Sequence, residues 1–299
     1  MGKIRNIKYQ FRNVIDQHFR EGMNKHSLKR NHEMKGNKIF SYSDRKNLID
    51  LSSNFSNYMK EHHPEVKMVR DITSEHIQEF INSKSEECSQ KTLEQYQSRF
   101  RKLETLVTET YTTEVNYHNV TVPLSHKNGG GKIRDFMMSD ADYHKMLSTT
   151  NDNLRKGLML SKGFGLRCSE ISKLRYSDIK SDGINIVDSK GKRSRFVPVE
   201  NEKQRDVIKQ FRQGQQGRVC PIQSESLQQA FNREKKRQGI CDGNGAFHTL
   251  RKNFATSKYQ EYRSQGLPIQ KSLDKVSEVL GHGSNRNDLM KQYICSPID

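Results

Sequence analysis

Six side chains in the second half of this sequence could together bind a phosphodiester and attack it. In chain order they are Arg167, Lys190, His248, Arg251, His282 and Tyr293. Arginine and lysine donate charged hydrogen bonds to phosphate oxygens, and histidine exchanges protons near neutral pH. A tyrosine phenol can be the nucleophile that forms a covalent intermediate. The set therefore predicts phosphodiester transfer by a tyrosine nucleophile.

Most of these residues lie in three short strings. GLRCSEISKLRYSDI begins at Gly165, HTLRKNFAT at His248 and LGHG at Leu280. Side chains three residues apart share one face of a helix, so Glu170 is placed to orient Arg167. By the same spacing, one phosphate could touch both His248 and Arg251. Each string alone is common on a solvated surface, and it is their order within one basic chain that carries the prediction.

Together, the strings and the final tyrosine resemble the tyrosine recombinase, or phage integrase, family. The resemblance covers residues 133–299 well and the preceding region loosely. It implies catalytic roles for the six residues named first, with Glu170 as a supporting residue. Tyr293 would be the nucleophile, and Lys190 the general acid that protonates the leaving 5′ oxygen. Lys192 is the alternative general acid, and the expected DNA contacts are Lys192, Arg193 and Arg195.

The implied reaction keeps the energy of the phosphodiester in a 3′-phosphotyrosyl bond, so rejoining would need neither ATP nor a metal ion. The sequence has no GxxxxGK[ST] phosphate loop and no acidic cluster of the kind that binds magnesium. Its five cysteines are scattered without a CxxC pair, which favours reduced thiols over structural zinc. We therefore expect no cofactor and no metal site.

The stretch between His282 and Tyr293 departs from the family pattern by about two extra residues. Residues 283–288 include a glycine and several turn formers, and the first apolar side chain after them is Leu289. Because little apolar area offsets the ordering entropy of such a segment, we expect a mobile loop. Tyr293 would then lie on a short final helix that need not be docked in the site of a single protomer.

The charge of the chain points to a polyanionic partner. The 299 residues carry a formal net charge of +17, and such a field attracts phosphate and releases its counterions. No apolar run reaches membrane-spanning length and no signal-peptide pattern opens the chain. These features favour a nucleic acid over a membrane surface, and a cytoplasmic, nucleoid-associated protein.

The spacing of apolar residues predicts two domains of a mainly α protein. Residues 1–112 read as an N-terminal helical core-binding domain, with helices over 6–23, 43–60, 74–81 and 90–108. Residues 113–132, which end in three glycines, read as a flexible linker. Residues 133–299 read as an α+β catalytic domain whose small antiparallel sheet is a hairpin of 184–187 and 195–199. This is the architecture of the DNA breaking-rejoining enzymes.

The predicted function is site-specific recombination of double-stranded DNA, serving integration or excision of a mobile element. By the resemblance, the active form is a homotetramer on paired DNA sites, and an accessory directionality factor is a further expected partner. Three alternatives stay open: a Xer-like dimer resolvase, a type IB topoisomerase, and a catalytically dead DNA-binding relative. No RNP-like or KH-like string supports an RNA-binding module.

Overall fold

The chain divides into two compact units, residues 1–132 and 133–299. The computed structural model describes residues 6–21, 23, 28, 38–127, 137–189, 194–211, 214–240 and 246–296. Each unit has its own hydrophobic core. Within the described residues, no helix combines the length and the apolar character needed to cross a bilayer.

The described part of the first unit is helical. Its helices are α1 (Ile7–His18), α2 (Tyr42–His62), α3 (Ser74–Ser83) and α4 (Gln90–Tyr111). Asn6, Ser41 and Ser89 cap α1, α2 and α4 by accepting a hydrogen bond from the backbone N–H three residues on. Phe55 is fully buried at the centre, where its ring meets those of Phe11 and Phe100.

Residues 113–127 contain no helix or strand, yet they pack on the first unit. Tyr117 is fully buried, and its hydroxyl donates to the carbonyl of Val69. Glu104 accepts the backbone N–H of Tyr117 at 2.6 Å, and Gln97 donates to the carbonyl of Val120 at 2.7 Å. The described part of the predicted linker is therefore held against this unit, because side-chain amides and carboxylates satisfy its backbone. The glycine run at 129–131 lies outside the described residues.

The second unit is mostly helical with one small sheet. Its helices are α5 (Asp140–Thr149), α6 (Asp152–Phe164), α7 (Cys168–Ile171), α8 (Glu202–Phe211), α9 (Ser224–Arg237), α10 (His248–Ser264), α11 (Ile269–Val279) and α12 (Asn287–Lys291). Strands β1 (Gly183–Ile186) and β2 (Arg195–Pro198) pair antiparallel, with Ile184 opposite Val197. The predicted mainly α fold with a small antiparallel sheet is confirmed.

Helix α10 joins the two apolar clusters of this unit. Leu250 belongs to the larger cluster, together with Phe164 and Phe247. Phe254 belongs to the smaller one, which includes Met290 of α12. A helix that is buried on both sides fixes the directions of the side chains between those faces. His248 and Arg251 lie on this helix.

Gly165 makes the turn that brings the chain from α6 to Arg167. It ends α6 in a left-handed conformation with φ 64°, which only glycine adopts without strain. A Cβ atom at this position would lie 2.5 Å from Phe254 Cδ1 and 3.0 Å from Leu280 Cδ2. The turn thus depends on the missing side chain for both its backbone geometry and its packing.

We expect Gly165→Ala to lower the free energy of unfolding by about 3 kcal/mol, since it adds left-handed strain and overpacking together. Gly163→Ala is the matched control, because it lies within α6 and the nearest atom to a Cβ there is Val207 Cγ2 at 3.8 Å. The control should gain about 0.5–1 kcal/mol. Urea unfolding of the two variants measures both effects, and equal stabilities would contradict this account of the turn.

Candidate active site

Arg167 lies at the N-cap of α7 and points toward the turn that carries His282. Its Nη1 donates to Glu170 Oε1 at 2.7 Å, and its Nη2 lies 3.1 Å from His282 Nε2. Its backbone N–H donates to Glu170 Oε2 at 2.8 Å. The expected pairing of Arg167 with Glu170 over three residues is therefore present. One edge of the guanidinium is held by the carboxylate while the other faces the histidine.

Glu170 is a buried carboxylate surrounded by donors. Its side chain is 1% exposed and accepts hydrogen bonds from Arg167, Arg195 and the hydroxyl of Ser189. Burial alone would raise the pKa of this carboxyl, but the hydrogen bonds and the charge of Arg195 outweigh it and hold the pKa far below its usual range. Glu170 is therefore ionised at neutral pH, and it is the shared counter-ion of the site.

Arg251 is fully buried. Its Nη1 donates to the carbonyl of Gly165 and its Nη2 to the carbonyl of Leu280 at 2.5 Å. Its Nε has no hydrogen-bond partner among the described residues. Burial, and then the neighbouring charge of Arg167, lower the pKa of Arg251 to about 10, so it stays protonated at neutral pH. The Cζ atom of Arg251 lies 5.6 Å from the centroid of the Tyr293 ring.

His282 lies in the turn after α11 and is half-buried. Its Nε2 is 3.1 Å from Arg167 Nη2 and 3.4 Å from Arg251 Nη2. Burial, followed by the charges of these two arginines, lowers the pKa of His282 to about 3. The ring is therefore neutral at pH 7. Since guanidinium groups only donate, Nε2 acts as the acceptor and Nδ1 carries the proton.

Tyr293 is docked in the site of the single chain. It is 8% exposed, and its ring centroid lies 5.1 Å from that of His248 and 5.3 Å from that of His282. The buried side chains of Met290 and Ile294 flank it on either side in sequence. The backbone N–H of Cys295 donates to Thr256 Oγ1 at 3.0 Å, which ties the chain to α10 just beyond the tyrosine.

The structure docks Tyr293 in the site of the single chain, whereas the sequence predicted a mobile segment whose tyrosine need not be docked. Polar contacts to α11 hold the turns directly after His282: Ser277 donates to the carbonyl of Gly283 at 2.5 Å, and the N–H of Asn285 donates to Asp274 at 3.1 Å. Tyr293 also lies beyond the end of α12 at Lys291, not on the helix.

Of the four basic hairpin residues predicted to act in the site, the structure describes only Arg195. Lys190, Lys192 and Arg193 lie outside the described residues. Arg195, expected as a DNA contact, has a side chain only 10% exposed that faces Glu170. Alternation along β2 could have indicated this, because Arg195 shares a strand face with the fully buried Val197 whereas Phe196 is exposed. Ser189, which was not predicted, also contacts Glu170.

A groove of about 500 Å³ opens beside these groups. Arg167 and His248 line it together with Cys168 and with Ser224 and Gln228 of α9. Arg167 and His248 suit an anionic ligand, whereas the carboxylate of Glu225 also lines the groove. The arrangement can hold a phosphate near Arg167, His248 and His282, with the Tyr293 phenol beside it.

Comparison with known proteins identifies relatives. Residues 136–294 match the phage integrase family. Solved structures with the same fold include a lambda integrase (75–356) dimer bound to a COC′ core site, with TM-score 0.64 and 18% identity over 91% of this chain and 95% of that chain. A lambda integrase tetramer bound to a Holliday junction matches with TM-score 0.64 and 15% identity over 92% of this chain and 77% of that chain.

The Tn1549 transposon integrase (82–397) in complex with circular intermediate DNA also has this fold. It matches with TM-score 0.60 and 14% identity over 98% of this chain and 96% of that chain. No curated protein matches the chain significantly in sequence.

We expect His282 to make the protein less stable in acid. The pKa of His282 is lower in the folded chain than the usual 6.5. Below pH 6.5 the unfolded chain therefore binds a proton at this histidine that the folded chain does not bind, and this difference favours unfolding. Stability should therefore drop from pH 6.5 toward pH 3 more steeply in the native protein than in His282→Gln. Urea unfolding at pH 7 and pH 5 measures this.

His144→Gln is the control for this titration, because His144 is an exposed histidine of the same unit. It should keep the pH dependence of the native protein. Glu170 acts in the same direction as His282 but is present in all three proteins, so its contribution cancels in the comparison. Identical slopes for native protein and His282→Gln would contradict a depressed histidine pKa.

Proposed function

Because the chain belongs to the phage integrase family, we propose that it is a site-specific DNA recombinase acting through Tyr293. The observation that carries the proposal is the docking of the Tyr293 ring between His248 and His282 and over Arg251. Arg167 faces the same histidine from the other side. A phenol at the centre of cationic and histidine donors is the arrangement that attack on a phosphodiester requires.

In the proposed reaction, the Tyr293 oxygen attacks the phosphorus and forms a 3′-phosphotyrosyl bond. The bond from phosphorus to the 5′ oxygen breaks, and Lys190 gives that oxygen its proton. His248 takes up the phenol proton, since histidine accepts protons near neutral pH. His282, neutral at pH 7, donates its remaining N–H to a phosphate oxygen once its ring turns toward the ligand. Attack by a 5′-hydroxyl on the phosphotyrosine reverses these steps and rejoins the strand.

The charge of the cluster suits this chemistry. Arg167, Arg195 and Arg251 surround the single carboxylate of Glu170, which leaves two positive charges in excess. The phosphoryl group gains negative charge as the phenolate attacks, so a fixed surplus of positive charge favours the transition state over the ground state. Because this charge comes from side chains, we propose cleavage without a metal ion or ATP.

We further propose that duplex DNA is the substrate and that four protomers act together on two duplexes. The basic composition supports a DNA partner, and the fold is shared with integrases solved as a dimer on a core site and as a tetramer on a Holliday junction. The first unit would be the core-binding domain. Integration or excision of a mobile element is the proposed role, supported by the shared fold of a transposon integrase.

Tyr293→Phe should bind DNA like the native protein but form no covalent adduct, because only the attacking oxygen is lost. Tyr259→Phe is the matched control: Tyr259 is a buried tyrosine of the same apolar cluster, and its loss of a hydroxyl should leave the adduct intact. Denaturing gels with a nicked suicide duplex detect the adduct. An adduct with Tyr293→Phe would refute the nucleophile, and none with the native protein on its own attachment site would refute the function.

The two hairpin lysines can be separated by changing the leaving group. Lys190→Ala should cleave ordinary DNA at least ~100-fold more slowly, the usual range for losing a general acid. A 5′-phosphorothiolate should restore the rate, because a sulfur leaving group needs no proton. Lys192→Ala should gain nothing from the sulfur substitution. Rescue of Lys192→Ala instead would make Lys192 the general acid.

A further inference from the structure

Each of the three guanidinium nitrogens of Arg195 donates a hydrogen bond inside the protein. Its Nη1 donates to Glu170 Oε1 at 2.8 Å and its Nη2 to Glu170 Oε2 at 3.0 Å. The remaining Nε donates to the carbonyl of Val279 at 2.9 Å. The side chain is 10% exposed. The two parallel bonds to one carboxylate form the bidentate pair that only arginine can make, and the third nitrogen, Nε, is held by the carbonyl of Val279.

This one side chain joins the two groups that face each other across the site. Through Glu170 it acts on Arg167, because the carboxylate oxygen that accepts from Arg195 Nη1 also accepts from Arg167 Nη1. Through Val279 it acts on the turn that carries His282, three residues further along the chain. Arg195 also packs against this turn, since a Cβ at Gly281 would lie 2.9 Å from Arg195 Cδ.

The contacts of Arg195 connect two segments that are far apart in sequence. Glu170 belongs to the short α7, whereas the His282 turn follows α11, and Arg195 reaches both from β2. The left-handed Gly281, with φ 74°, follows the end of α11, and the N–H of His282 donates to the carbonyl of Ser277 at 2.9 Å, so local backbone bonds fix this turn to α11 but not to α7. The contacts of Arg195 supply a fixed reference between the two segments.

We propose that Arg195 is a positioning residue that sets Arg167 and His282 in register for the phosphate, acting through Glu170 and the carbonyl of Val279. This rests on the proposed recombinase function. Arg195 does not touch the DNA. Its loss leaves the catalytic groups present but displaced, and a displacement of about 1 Å typically costs about 100-fold in rate.

The first test needs no catalytic activity. The pKa of His282 is followed by NMR titration of the ¹³C-labelled histidine rings in full-length native protein, Arg195→Met and Arg205→Met. Arg195→Met should move the His282 titration toward the usual histidine range, because the turn is released and a neighbouring positive charge is lost. Arg205→Met is the control, since Arg205 forms an exposed pair with Glu202 on α8. An unchanged His282 titration in Arg195→Met would overturn the proposal.

The second test separates positioning from DNA contact. On a suicide duplex that the native protein cleaves, Arg195→Met should form adduct about 100-fold more slowly while its Kd stays within twofold. The dependence of log Kd on log salt should also be unchanged. A phosphate contact would instead weaken binding and reduce the salt slope by about one, which would overturn the proposal.

A double-variant cycle tests the route through Glu170. Because Arg195 acts through that carboxylate as well as through Val279, the rate loss in Glu170→Gln with Arg195→Met should be smaller than the product of the two single losses. Multiplied losses would overturn the proposal. Rates are expressed per folded molecule, and Arg195→Lys serves if Arg195→Met does not fold. Lysine keeps the positive charge, but its single ammonium cannot bond Glu170 and the carbonyl of Val279 at the same time. Arg195→Lys should therefore still form adduct at least tenfold more slowly than the native protein.

Native protein that forms no adduct would count against the proposed function, and the His282 titration would then decide the Arg195 proposal by itself. Native protein that forms adduct while Arg195→Met does so at an equal rate would overturn the Arg195 proposal alone. The two failures are therefore distinguishable.

Discussion

The second unit is organised around one buried carboxylate. Three guanidinium groups that would repel one another in isolation lie together because Glu170 stands between them: Arg167 at 2.7 Å, Arg195 at 2.8 Å and Arg251 at 3.9 Å. Breaking a buried pair of this kind typically costs about 3–5 kcal/mol, because the remaining charges are left without compensation. The three arginines belong to the N-cap of α7, to β2 and to α10. Their ion pairs with this one carboxylate therefore also fix where those elements meet.

The same cluster of charges accounts for the protonation states of His282 and Arg251. Two of the three guanidinium groups border His282, and together with burial they keep its imidazole neutral. Arg251 remains charged despite complete burial because backbone carbonyls of Gly165 and Leu280 accept from its terminal nitrogens. Those carbonyls are free to accept because each lies at the end of a helix, where the chain leaves the α conformation. The buried guanidinium of Arg251 thus gains hydrogen-bond acceptors, and the carbonyls at the two helix ends gain a donor.

The sequence was sufficient for the parts of the site that depend on short spacing. The Arg167–Glu170 pair and the alignment of His248 with Arg251 follow from three-residue separations on helices, and the hairpin follows from β-rich runs. The partners of Arg195 did not follow, because they are set by tertiary contacts 25 and 84 residues away. The docking of Tyr293 did not follow from the sequence, because the scarcity of apolar residues before Leu289 does not reveal the polar contacts by which side chains of α11 hold the turns at Gly283 and Asn285.

That polar attachment distinguishes the final segment from the rest of the unit. The contacts at Gly283 and Asn285 are near the surface, and Asn285 adopts φ 58°. Helix α12 has only five residues, so it is too short to persist without its neighbours. We expect such a segment to open more readily than α10, so that its amide protons exchange with solvent sooner. The proposed nucleophile, Tyr293, therefore follows a short helix held largely by its neighbours, whereas His248 and Arg251, which face its ring, lie on the long helix α10.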